Sequence, residues 1–282
     1  DVYKRQIMAT PSDSGGDPVS PLRILAFVGS PRNEESWTWK IMTRIETSMQ
    51  AIQPVEVEYV FLQKLGVPFC DGCLSCVNVG ESACPEFSTI GPIAAKMDAA
   101  DGLILGAPVH TFAVTGLMKN FVEYFMYKRN RPSFFGKKAV VTATASGGGH
   151  TQVLDFLEGT ATAWGCDVVT RLGVSSSQMK KPPYVEKVDA CVQEVAETFI
   201  SEINKSELGS PKFGALMNFR AMQNMTRNQQ GSVNHQFWTE RDWFDKEYYT
   251  NVPINPWARM MAAYIARKMR RGIRKGNAKP YR

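Results

Sequence analysis

The chain lacks any stretch of about 20 uninterrupted apolar residues, and its first apolar run, Leu22 to Val28, is far shorter. No transmembrane helix is expected. The N-terminal segment Asp1 to Ser20 holds charge, Gly, Ser and Pro but no apolar centre of the kind a secretory signal needs, so disorder over residues 1–20 and a cytoplasmic chain are expected. Asp1 to Gln6, without an initiator Met, read as a read-through scar outside the fold. Basic residues are missing where a nucleic-acid reader needs them. The net charge of +6 belongs to the tail, because after Glu247 there are nine Lys or Arg and no carboxylate, which leaves the rest mildly acidic. Nucleic acid is therefore not an expected partner. The turn after the first apolar run lacks the Gly-Lys-Ser or Gly-Lys-Thr ending of a triphosphate loop and the later glycines of a dinucleotide fingerprint. There is also no internal repeat.

What is present is enough for one α/β domain and an appended segment: 282 residues, 44% of them hydrophobic. Strands are expected at Leu22–Val28, Val55–Phe61, Gly102–Gly106, Ala139–Ala145 and Asp167–Val174. Helices are expected at Ser36–Gln50, Ile90–Ala100, Thr115–Tyr127, Gln152–Trp164 and Pro182–Ile203. In the second strand Val55, Val57, Tyr59 and Phe61 alternate with Glu56 and Glu58, a pattern that suits a position nearer an edge. Strict strand–helix alternation implies a doubly wound parallel sheet with right-handed crossovers, whose ligands bind outside the carboxyl ends of the strands.

Three turns should meet at that edge. Gly29 to Thr38 is rich in hydroxyls and runs straight into a helix, whose unpaired N–H groups suit a phosphate. An ordinary N-cap by Ser36 is the alternative there. Gly106 to Phe112 is a rigid apolar turn suited to a flat ring, or simply a strand exit. Ser146-Gly147-Gly148-Gly149-His150 places three glycines together, an entropic cost that close backbone approach to a ligand would explain.

Four of the six cysteines, Cys70, Cys73, Cys76 and Cys84, fall in the long stretch between the second strand and the next helix, spaced C-x2-C-x2-C-x7-C with Pro85 following. In a reducing compartment such a cluster points to metal or redox chemistry. The spacing is close to ferredoxin ligation and suits a 4Fe-4S cluster; zinc and a metal-free thiol loop are the alternatives. Cys166 and Cys191 are expected to be buried thiols.

The runs GSPRNEESWTWKI and AADGLILGAPVHTFAVTGLMKNFVEY, with the SGGGH turn, together resemble the NADPH-dependent FMN reductase and multimeric-flavodoxin superfamily over residues 22–204. The resemblance implies a flavodoxin-like five-stranded sheet of order 2-1-3-4-5, residues 21–204 forming the FMN-binding domain. It also implies FMN phosphate on Ser30, Arg32, Ser36, Trp37 and Thr38, with the isoalloxazine against Pro108, Val109, His110, Thr111, Ser146, Gly147, Gly148 and Gly149. NAD(P)H is then the expected donor, and a quinone, a flavin or another small molecule the acceptor. An electron carrier serving partner proteins is the alternative. Many relatives have an aromatic where this chain has His110, which makes that imidazole a candidate catalytic proton source. The cysteine spacing resembles that of iron-sulfur flavoproteins.

Residues 205–282 form the remaining segment. Its dense aromatics, FWTERDWFDKEYY, need burial against the domain or a second subunit, and a homo-oligomer is expected. His235 reads as solvated. Pro256 to Ile273 reads as an amphipathic helix with Trp257, Met260, Met261, Tyr264, Ile265, Met269 and Ile273 on one stripe and arginines around it. Packing on a partner subunit and peripheral membrane contact are its two expected uses.

Overall fold

A computed structural model of the chain describes residues 20–205 and 208–274. Apart from Ser20, the N-terminal disorder expected over residues 1–20 lies outside the described residues. Five strands, β1 (Leu22–Val28), β2 (Val55–Phe61), β3 (Gly102–Pro108), β4 (Lys138–Ala145) and β5 (Asp167–Ser175), make one parallel sheet in the order β2-β1-β3-β4-β5. Between and after them run α1 (Trp37–Gln50), single-turn α2 (Ser75–Asn78), α3 (Phe87–Ala99), α4 (Gly116–Tyr124), single-turn α5 (Tyr127–Asn130), α6 (His150–Trp164) and α7 (Pro182–Asn204). This is the flavodoxin-like architecture.

Helices on both faces explain why the central strands are continuous apolar runs. Ile24, Ala26 and Val28 of β1 pack with Ile41, Met42 and Ile45 of α1 and with Val188, Val192 and Phe199 of α7. Leu25 and Phe27 face the other way, toward Met97 of α3, Phe121 of α4 and Leu157 of α6. The edge position expected for β2 is borne out, with Glu56 and Glu58 exposed. On the opposite edge, Val168 faces one core while Leu172 and Val174, of the same parity, face the other. A register shift between Ala139 and Val140 turns β5 over, as a bulge does.

Beyond Asn204 the sequence reading assigned one helix, and the described residues form three: α8 (Phe213–Arg227), α9 (Val233–Thr239) and α10 (Pro256–Arg274). The aromatics form a third core of their own around Phe219, Met222, Trp238, Trp243 and Tyr249, with Phe135 of the domain packed against it. Phe219 and Trp238 stack at 5.6 Å, and the Trp238 indole N–H donates to the Asn130 carbonyl at 2.8 Å. Among the described residues no helix is long and apolar enough to cross a membrane.

Candidate active site

Strand register brings the three turns to one edge. The Gly29 amide donates to Gly106 O at 2.8 Å, the Val109 amide to Thr144 O at 2.8 Å, and the Thr115 hydroxyl to Gly29 O at 2.6 Å. Gly106 has no room for a side chain: a Cβ there would lie 2.6 Å from Met42 Cε and 2.8 Å from Thr142 Cγ2. Its absence lets the start of α1 close onto the sheet, where the Thr38 and Thr144 hydroxyls bond at 2.8 Å.

In the first turn Ser30, Ser36 and Thr38 are buried, Trp37 is half-buried and Arg32 is exposed. The Ser36 hydroxyl accepts from the Trp39 amide at 3.2 Å and donates to Asn33 O at 2.6 Å, so it is the N-cap, and Thr38 is committed to Thr144. The donors left to the turn are the Ser30 hydroxyl, which accepts from the Arg32 amide at 3.3 Å, and the amides of Trp37 and Thr38, which have no acceptor within the helix. Asn33 adopts φ +46°, and its buried Oδ1 has no partner. An orphaned polar atom inside the turn suits a group supplied from outside the chain.

The second turn is tighter than the sequence suggests. His110 and Ala113 exchange backbone hydrogen bonds of 2.9 and 3.0 Å, and both intervening residues, Thr111 at φ +50° and Phe112 at φ +58°, are left-handed. A β-branched and an aromatic residue in that region cost on the order of 1–3 kcal/mol each, strain of the kind stored at functional sites. Pro108 and Val109 are half-buried and His110 is exposed, as is Phe112 at 66%.

The third turn abuts the second. Gly149, at φ +95°, caps α6 and leaves no space for a Cβ, which would stand 2.7 Å from Val109 Cγ1. Gly147 and Gly148 face open space, so nothing within the chain demands glycine at either. A flat ligand lying on the backbone supplies the missing reason. Ser146 is tied outward to the loop after β5, accepting at its carbonyl from the Ser177 hydroxyl at 2.6 Å. The sequence reading placed Phe112 in the second turn without assigning it to the ring and passed over the Ser175–Ser177 run; a hydroxyl triplet at a strand end was the available signal for the latter. His150, beside the glycines, is turned away to Val174 O at 3.0 Å.

The cysteine loop lies along α4, whose N-cap Thr115 reaches the first turn. The Asn120 side chain accepts from the Cys70 amide and donates to Pro68 O, both at 2.8 Å, and the Tyr124 hydroxyl donates to Pro68 O at 2.9 Å. From the other side buried Arg131 donates to Cys76 O at 2.6 Å and Val77 O at 3.1 Å, and also to Asn234 of α9. Cys76 is buried, Cys70 and Cys84 half-buried, and Cys73 exposed. Burial pushes the Cys76 thiol up, reinforced by the neighbouring charges of Cys84, Cys70 and Cys73; burial raises Cys84 as well. Four thiols are a donor set suited to iron-sulfur or zinc. As placed, no group of three or more His, Cys, Asp or Glu among the described residues stands ready to hold a metal.

Other expectations need correction. Cys166 is buried but Cys191 is exposed, since it sits on the outer side of α7. His235 is half-buried rather than solvated, its ring 4.9 Å from that of Phe244. A cleft of about 1370 Å³ lies away from the strand-end edge, between α6, the start of β5 and α8, lined by residues such as Phe156, Gly165, Val168 and Ala215.

Among curated proteins, an iron-sulfur flavoprotein of Clostridioides difficile is 26% identical over 204 residues, spanning 71% of this chain and 87% of its own length. An iron-sulfur flavoprotein of Methanocaldococcus jannaschii is 29% identical over 140 residues, 47% of this chain and 68% of its own. An oxidoreductase from Corynebacterium diphtheriae shares the fold with a TM-score of 0.51 at 22% identity, covering 65% of this chain and 98% of that one. The family model described as NADPH-dependent FMN reductase matches residues 22–178, which take in all five strands and the three turns at their ends, and more than half of the sequence: the chain belongs to that family.

Proposed function

We propose that the protein is an FMN-dependent oxidoreductase that draws electrons from NAD(P)H and delivers them to a quinone, a flavin or another small acceptor. The observation that carries this reading is the meeting of three turns, one polar with unpaired amides and two apolar with an open glycine shelf, at a single strand-end edge. FMN, when bound there, supplies a ring that takes up hydride and releases electrons singly or in pairs. The chain's own part is to bind and orient. Ser30, Arg32 and the amides of Trp37 and Thr38 hold the phosphate, while Ser36 and Thr38 fix the helix start that presents them. Pro108 to Thr111 and Ser146 to Gly149 flank the ring, and exposed His110 stands as the proton source at its edge.

A second reading, an electron carrier with a cluster, rests on α4. Its first turn is tied to Gly29 through Thr115, and its Asn120 holds the backbone of Cys70. Thr115 and Asn120 lie only about 8 Å apart along the helix axis. Cys70, Cys73, Cys76 and Cys84 are the residues we assign to a cluster, in keeping with the names of the curated relatives. One experiment addresses both readings: anaerobic purification followed by an absorption spectrum, flavin identification and iron and sulfide analysis, then NADH and NADPH oxidation with an added quinone. Yellow protein with steady turnover supports the enzyme. Protein that neither carries nor takes up FMN overturns both readings, and flavin without iron overturns the cluster alone.

A further inference from the structure

The amphipathic helix α10 is docked on only part of its expected stripe: Met261 and Ile265 are half-buried, whereas Trp257, Met260 and Tyr264 are not. Its buried face consists of Ala262 and Ala266, one turn apart, and α10 packs along α8. Arg259 is anchored sideways to Glu247 at 3.2 Å. Three large side chains of the stripe face water: Trp257 is 70% exposed, Met260 57% and Tyr264 61%, at helical spacings of three and four. Continuing along that face, Arg267 and Lys268 are also exposed. Arg270, Arg271 and Arg274 follow in sequence, and no Asp or Glu occurs after Glu247. The outer face thus runs from an aromatic and Met end to a basic end at Arg267 and Lys268, and none of the described residues covers it.

We infer that this outer face of α10 is a peripheral docking surface for an anionic lipid bilayer. Trp and Tyr seat at the boundary between headgroup and acyl chain, and arginine and lysine are drawn to acidic headgroups. A second copy of the same face brings no carboxylate to meet the basic end, since no Asp or Glu follows Glu247, whereas acidic headgroups supply the opposite charge. The test uses the full chain in co-sedimentation with vesicles of phosphatidylcholine alone and of phosphatidylcholine with phosphatidylglycerol. Binding is expected to the anionic vesicles only, falling as salt rises. Trp257→Ala with Tyr264→Ala should weaken it about tenfold or more, and Arg267→Glu with Lys268→Glu should abolish it. All four side chains are exposed, and helical content by circular dichroism confirms that the variants fold. Equal partitioning of wild type and variants, or none to anionic vesicles, overturns the inference. So does a concentration-dependent dimer by sedimentation that Trp257→Ala with Tyr264→Ala dissolves.

Discussion

The strand-end edge and the cysteine loop are neighbours on α4, yet they are built by different means. The edge is set by the sheet: backbone bonds between Gly29 and Gly106 and between Val109 and Thr144 follow from strand register and need no partner from outside. The loop has no ladder. Its backbone is tied by the side chains of Asn120, Tyr124 and Arg131 while Cys76 reaches the domain core, and Phe69 at 81% and Val79 at 71% stay exposed around thiols that, among the described residues, form no ready metal site. A ligand site made from a sheet is formed before the ligand arrives, whereas a site made from a tethered loop depends on what it binds and on the elements that tie it down.

Substitutions can break this contrast. The largest effect is expected from Arg131→Met, which strips partners from the Cys76 and Val77 carbonyls and from buried Asn234; about 3–5 kcal/mol of stability should be lost in denaturant titration. Thiol labelling of the loop should quicken, and the loop's dependence on the Arg131 clamp is refuted if labelling is unchanged. Gly149→Ala tests the edge: a side chain at φ +95° pressed toward Val109 should cost about 1–3 kcal/mol, and FMN affinity should fall about tenfold by fluorescence titration. Ser36→Ala removes the cap of α1 at about 1 kcal/mol. It should weaken FMN but leave riboflavin, which has no phosphate, untouched; equal losses for both would count against phosphate at this turn.

The last effects concern pH and appear only on the alkaline side. Burial pushes the Cys166 thiol up to about 12 from an ordinary 9.0, so the fold favours its neutral form. The stabilisation is fully present below pH 9 and is lost as pH climbs toward 12; Cys166→Ala should flatten that alkaline limb of the stability curve. At neutral pH an aromatic disulfide reagent should modify exposed Cys73 and Cys191 first, Cys76 slowly and Cys166 last.

Much of the site was legible because it rides on strand ends. Apolar runs broken by Gly29, Pro108 and Ser146 announce where a parallel strand stops, and topology does the rest. The strain at Thr111 and Phe112 was not legible, because neither residue type favours positive φ and only the closure between His110 and Ala113 imposes it. Nor was the clamp on the cysteine loop: Arg131 and Asn234 are far apart in sequence, and no spacing rule links them.

By itself the sequence determined the order of the elements, the buried faces of the central strands and the three turns that close on one edge, since hydrophobic periodicity and turn residues act locally. Tertiary structure alone decided which hydroxyls were already engaged within the chain, how the extension's aromatics made a separate core, and that α10 buries alanines while leaving Trp257 in water. Those outcomes depend on which surfaces meet, and a helix with apolar residues on more than one side does not encode that choice in its own periodicity.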